Sequence, residues 1–263
     1  MQIIELLMHM TFKNVRVQYR KPLLGFLWAF IVPFCMALIF KVVFSLLLRI
    51  SVAPYPFFVY LLTAIFPWGF SQIALLSATT SLVDNKHIVR ESRFPREIIP
   101  FSVILAHLIA FLPSIIVILM LIIYLKLFTF WIILLPGVVI VHVLLIAGIS
   151  LVTSMMHVRM RDTRFSLEVI LNGLFYLTPV FYPLDLVARY FDGFLLRIYM
   201  LNPFVGLITW YRICFLKGFS ETIPAGCEIY IITVPIVVAC IALASGIVIF
   251  RRQEKNIVDY LEV

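Results

Sequence analysis

The sequence predicts an all-α integral membrane protein: six transmembrane helices, an N-terminal amphipathic interfacial helix, and short re-entrant external helices between the fifth and sixth spans. Three observations carry this reading. Of 263 residues, 63% are apolar and 13% charged, against about 45–50% and about 25% in soluble domains. Mean hydropathy is +1.11, and a soluble chain of that character would expose large apolar patches. The apolar residues are gathered into runs long enough to cross the hydrocarbon, with basic residues collected on one side of them.

Taken in order, residues 1–22 form the interfacial helix. Ile4, Leu7, Phe12, Val15 and Tyr19 recur at helical spacing, while Glu5, His9, Lys13, Arg16 and Arg20 take the other side. A helix of this kind lies in the headgroup plane with its basic side toward anionic lipid. The segment does not read as a signal peptide, because the apolar run that follows is too long and no small-residue cleavage site appears.

Residues 23–263 then form one transmembrane domain, with spans at 23–48, 57–82, 98–125, 130–156, 166–183 and 229–250. Lys13, Arg16, Arg20 and Lys21, the 83–97 loop with Lys86, Arg90, Arg93 and Arg96, the 157–165 loop, and the tail with Arg251, Arg252 and Lys255 share one side. The short loops opposite hold only Arg49 and Lys126. The positive-inside rule makes the basic side cytoplasmic, with both termini on it. The net charge of +8 is explained by those loops and points to no nucleic acid.

Residues 184–228 are too many for an external turn. Asn202 and Pro203 are a helix-start signal, and Phe204–Lys217 reads as a helix stopped by Gly218. Asp185 reads as the cap of a preceding short helix and Gly193 as its stop. A helix as short as Phe204–Lys217 cannot cross a bilayer, so it either dips in from outside or lies on the outer leaflet. In both cases Arg212 and Lys217 are expected on its polar side, near phosphates. Asn202, Pro203, Trp210 and Arg212 are the candidate external gate.

Several chemistries are disfavoured. Among the 13 acidic residues only Glu168 enters a predicted span, whereas ion-coupled transport needs carboxylates near the midplane. His107 and His142 lie in apolar runs without partners for a metal or nucleophilic site, so they read as helix–helix hydrogen-bonding residues. The 4 cysteines, Cys35, Cys214, Cys227 and Cys240, have no metal-ligand spacing. No G-x-x-x-x-G-K-[ST] phosphate loop occurs, so any ATP-driven step needs a second polypeptide. The mixed polar–apolar segment from Val83 to Glu97 reads either as that partner's docking element or as an ordinary basic loop.

The residues also carry a resemblance. Tyr19-Arg20-Lys21-Pro22-Leu23-Leu24-Gly25-Phe26-Leu27-Trp28, then Pro33, resembles the N-terminal signature of ABC type-2 permeases that export polysaccharides or polyol phosphates. The pattern continues through Phe94-Pro95-Arg96 and Ile98-Ile99-Pro100, Arg161-Asp162, Tyr176-Leu177-Thr178-Pro179-Val180-Phe181-Tyr182-Pro183, and Leu201-Asn202-Pro203. Lys21-Pro22 departs from it, where many members have a small polar residue. The resemblance implies a homodimer bound to two copies of a separate ABC ATPase in the bacterial cytoplasmic (inner) membrane. ATP and magnesium would be bound by that ATPase, and no cofactor or metal by this chain.

By the same resemblance, Asn85, Lys86, Arg90, Arg93, Phe94 and Pro95 belong to a coupling helix, with Arg161 and Asp162 beside it. Asp162 reads equally as a cap, with Arg164 pairing Glu168. Trp28, Phe30, Phe34, Phe175, Tyr176, Phe181 and Tyr182 fall in helices that resemble the family's channel wall. Aromatic faces suit a sugar polymer because they contact sugar C–H faces without strong directional bonds. The implied substrate is a lipid-linked polysaccharide, O-antigen or similar glycan, or teichoic acid. The alternative is a small hydrophobic drug or lipid.

Overall fold

The computed structural model describes residues 2–18, 25–50, 52, 54–91, 94–191, 193–254 and 257. Arg93 and the side chains of Trp28, Phe30 and Arg90, all candidates above, lie outside the described residues. The described chain is helical, with no strand among its elements. In order these are α1 (Gln2–Gln18), α2 (Gly25–Phe40) continuing into a π-helix (Lys41–Leu47), α3 (Phe57–Asp84), α4 (Lys86–Glu91), α5 (Ile98–Tyr124), a 3-10 turn (Phe130–Leu134) and α6 (Leu135–Arg159). Then come α7 (Thr163–Tyr176), α8 (Leu184–Tyr190), α9 (Gly193–Met200), α10 (Pro203–Phe215), a 3-10 turn (Phe219–Thr222) and α11 (Glu228–Gln253).

The organising element is α3. It is buried along nearly its whole length and packs against α2, α5, α6, α7 and α10. An apolar helix with no solvated stripe must be surrounded, so α3 takes the centre. The outer helices keep apolar faces exposed, such as Ile116, Met120 and Ile123 on α5 and Ile229, Ile236 and Ile241 on α11. Those faces suit contact with lipid.

Two glycines let α11 seat deeply on α6. A β-carbon at Gly148 would run into the backbone of Ala242 and Leu243, and one at Gly246 into the Gly148 carbonyl. Small residues at such crossings allow the close backbone approach on which membrane helix packing relies.

Among the described residues, four helical segments are long and apolar enough to cross a membrane: Phe57–Asp84, Ile98–Tyr124, Phe130–Arg159 and Glu228–Gln253. The pair α9 and α10, bent by 76°, makes a fifth if counted as one broken span. The predicted fifth span, 166–183, is corrected: α7 starts at Thr163 and ends at Tyr176 after 14 residues, too short to cross. Pro179 has no N–H to continue the ladder, and a residue preceding proline is pushed out of the helical region, so the Thr178–Pro183 stretch turns instead.

α1 packs on α5, with Met10 and Thr11 buried and Asn14 Nδ2 donating to Ser102 Oγ at 3.0 Å. Its predicted apolar face divides. Leu7 and Val15 are half-buried, while Ile4 and Phe12 stay exposed with Ile3 and Met8, as suits a helix lying between protein and lipid.

In the 184–228 segment Asn202 caps α10, its Oδ1 accepting from Phe204 N–H at 3.0 Å, with Pro203 at the first helical position. The second expectation for this segment fails: Gly193 opens α9, at φ +50, rather than stopping α8, and Pro183, not Asp185, sits at the α8 N-cap. Asp185 instead pairs with Arg189 one turn on. α10 is buried almost throughout against α3, α6 and α11, so it lies within the bundle rather than flat on its surface.

Candidate functional site

Three regions gather the candidate residues. On the face that the charge distribution marks as cytoplasmic, Asn85 closes α3, its Nδ2 donating to Ser81 O at 2.8 Å. The chain then turns into α4. This six-residue helix exposes Lys86 and His87 and buries Val89. Val89 enters an apolar cluster with Met10, Leu82, Ile98, Ile99, Leu151, Met155, Val158, Phe250 and Ile257, against which Phe94 packs. Pro95 is exposed. α1 and the ends of α3, α5, α6 and α11 therefore share one apolar core with the coupling candidate.

Arg161 and Asp162 are exposed between α6 and α7. Asp162 occupies the N-cap position of α7 but its carboxylate makes no capping bond. The expected Arg164–Glu168 pair is absent: the ion pairs among the described residues are Arg189–Asp185 and Arg251–Glu97.

The second region is aromatic. Phe175 packs near Phe40 (5.8 Å between centroids), Trp68 (5.6 Å) and Phe181 (6.0 Å). Phe181 also meets Phe44 at 4.5 Å and Tyr182 at 5.1 Å. Of the candidates, Phe175, Tyr176, Phe181 and Tyr182 are thus brought together, whereas Phe34 stands apart, edge-on to Phe58 at 5.1 Å. Phe181 is buried in the chain's own core, while Tyr176 is 61% exposed. Tyr182 ties the group outward: its hydroxyl donates to Tyr176 O at 3.0 Å and meets the Tyr199 hydroxyl at 3.1 Å.

The third region corrects the expectation for Arg212. Its side chain faces inward and is 1% exposed, not turned to phosphates. The guanidinium donates to Pro179 O at 2.6 Å and Val180 O at 2.7 Å and lies over the Tyr60 ring, 3.6 Å from its centroid. The turn after α7 exposes two carbonyls that no helix satisfies, and a planar two-pronged donor suits them. Asn202 Nδ2 reaches the same turn through Thr178 Oγ1 at 3.1 Å. Beside it, Tyr55 donates to Lys217 O at 2.8 Å. Burial, and then the Glu221 carboxylate, hold that phenol above its usual pKa, so it remains a donor. Trp210 faces elsewhere, into an apolar cavity of about 550 Å³ that Trp131, Val138, Cys214 and Ile231 also line.

The family model described as ABC-2 type transporter matches residues 5–216, the stretch that holds every candidate residue placed above. The chain belongs to this family.

Among relatives of this ABC-2 type transporter is an O-antigen export system permease protein, RfbA, of Klebsiella pneumoniae, 28% identical over 218 residues, 82% of each chain. A protein of the same name from Myxococcus xanthus is 26% identical over 250 residues, 95% of this chain and 93% of that one.

Sequence reasoning missed several residues in the transporter's three regions. Phe40, Phe44 and Trp68 complete the aromatic group, and Tyr60 carries Arg212. Their signal was only a rotational one, since Phe40, Phe44 and Trp68 lie on the face that meets Phe175 or Phe181 and Tyr60 on the face that meets Arg212. His142 was legible: its Nε2 meets Ser71 Oγ at 2.6 Å and its Nδ1 the Tyr211 hydroxyl at 3.0 Å, joining α3, α6 and α10.

Proposed function

We propose that this ABC-2 transporter chain is the membrane-spanning subunit of an ATP-driven exporter of lipid-linked polysaccharide, O-antigen or a similar glycan. It works as a homodimer with two copies of a separate ABC ATPase in the cytoplasmic (inner) membrane, both termini cytoplasmic. The observation that carries the reading is the near full-length similarity to two proteins named as O-antigen export permeases. The exposed Lys86 and His87 on α4 and the exposed Arg161-Asp162 corner offer the ATPase a polar docking surface. ATP and magnesium belong to the partner, and this chain supplies neither catalysis nor a metal site.

The aromatic group on α7 and the turn after it provides sugar-compatible surface, with Tyr176 as its exposed member. α8–α10 form the cap over the outer end. One observation favours the second reading, export of a small hydrophobic drug or lipid: the apolar cavity beside Trp131 and Trp210. The test is reconstitution with the ATPase in nanodiscs. Stimulation of ATP turnover by lipid-linked glycan is expected. Stimulation by hydrophobic compounds alone would replace this reading with the second.

A further inference from the structure

Where the coupling segment meets α5, the C-terminal end of α11 is fastened to it by crossed contacts. The Arg96 backbone N–H donates to Glu254 Oε1 at 3.0 Å, and the Arg96 guanidinium to the Glu254 carbonyl at 2.7 Å. One residue on, Glu97 Oε1 accepts from the Arg251 guanidinium at 3.2 Å. Arg96 thus meets Glu254 through one backbone group on each side, while Glu97 meets Arg251 as an ion pair.

The same junction is closed from inside by apolar packing. Val89, Phe250 and Ile257 are fully buried in one cluster, with Phe94 against it. Ile257, beyond α11, is thus buried in the same cluster as Val89 of the coupling segment.

We propose that the C-terminal end of α11, with Arg251 and Glu254 as its positioning residues, is a latch that makes the coupling segment and the last helix move together. The proposal rests on the exporter reading above. α11 in turn is seated on α6 through Gly148 and Gly246, where backbone meets backbone and sliding is sterically blocked. A displacement of Phe94–Glu97 by the ATPase is therefore passed directly to α5 through chain continuity, and to α11 and α6 through the latch.

Stability alone does not account for this arrangement. The Arg251 and Glu97 side chains are 66% and 19% exposed, and ion pairs of that kind contribute little to folding. What the contacts determine is relative position.

The test uses the full chain with its ATPase, and variants Glu254→Ala, Arg251→Glu, Glu97→Arg and the double swap Glu97→Arg/Arg251→Glu. Each single variant is expected to keep the wild-type melting temperature and to lose substrate moved per ATP hydrolysed severalfold. The double swap should recover much of that loss. In the chain alone, Glu254→Ala should speed hydrogen exchange at 94–99 and 250–257 together. Unchanged transport per ATP in the single variants, no recovery in the swap, or unchanged exchange at 94–99 would each overturn the latch. If the wild-type chain exports nothing with any ABC ATPase, the exporter reading fails, while the exchange experiment still decides whether the latch exists.

Discussion

Arg212 lies face-on over Tyr60, its guanidinium carbon 3.6 Å from the ring centroid, while its two terminal nitrogens hold the Pro179 and Val180 carbonyls. One side chain of α10 thereby fixes the turn that ends α7 and presses it on α3. The Tyr60 hydroxyl completes the connection by donating to Tyr182 O at 2.9 Å.

Replacing Arg212 with Ala should therefore destabilise the protein by about 3 kcal/mol, since two charge-assisted bonds and a buried stacking contact disappear together. Tyr60→Phe keeps the ring under the cation and should cost only about 1 kcal/mol. Unfolding midpoints in detergent check the order. Equal losses would show that the hydroxyl, not the cation, carries the contact.

The chain Ser71–His142–Tyr211 binds three helices through one imidazole, which donates from one nitrogen and accepts at the other. Ser71→Ala and Tyr211→Phe should each cost about 1 kcal/mol. Because both act through His142, their double variant should differ from the sum of the singles. A double-mutant cycle measures this, and strict additivity would refute a shared network.

Gly148→Val should prevent α11 from seating on α6 and abolish monodisperse protein, because the added atoms meet backbone, which cannot swing aside. Gly173→Ala is the control: nothing lies within 4 Å of a β-carbon there, and exchanging glycine for alanine in a helix gains about 0.5–1 kcal/mol. Size-exclusion profiles and melting temperatures of the two variants test the contrast.

At α4 the structure separates docking from folding. Lys86→Glu changes an exposed side chain and should reduce co-purification of the ATPase, least at high salt where screening already weakens the wild-type contact. Melting of the chain alone should not move. Val89→Asp puts a carboxylate in the apolar core beside α4 and should lower the melting temperature itself. If Lys86→Glu retained the full amount of ATPase, the docking surface would lie elsewhere.

The long elements were legible because their apolar runs are long and their ends punctuated, as at Asn202-Pro203, where the cap and the first helical residue fall where expected. The fifth predicted span was misread because hydropathy counts Val180 and Phe181 as membrane residues while Pro179 and Pro183 break the backbone beneath them. Arg212 was misplaced for a related reason. A charge on an apolar helix suggests a polar side, and nothing in the local sequence announces that a proline turn 32 residues upstream has carbonyls to spare. Tertiary closure of this kind, like the meeting of Arg96 with Glu254, depends on the rotation of distant helices and leaves no periodic trace.

The π-helical stretch Lys41–Leu47 at the end of α2 has a consequence of phase. Its wider turns are seen in bonds such as Leu48 N–H to Val43 O at 3.0 Å. A π turn accommodates one residue more than an α turn, and each residue of an α-helix advances about 100° about its axis. The surplus is taken up inside the wide turns, so the helix before them need not rotate. Ala37, which is fully buried, lies before the stretch, and Phe44, stacked on Phe181, lies within it. The extra backbone is thus stored in the winding itself, as slack is stored in a coil, and both residues stay against the rest of the molecule.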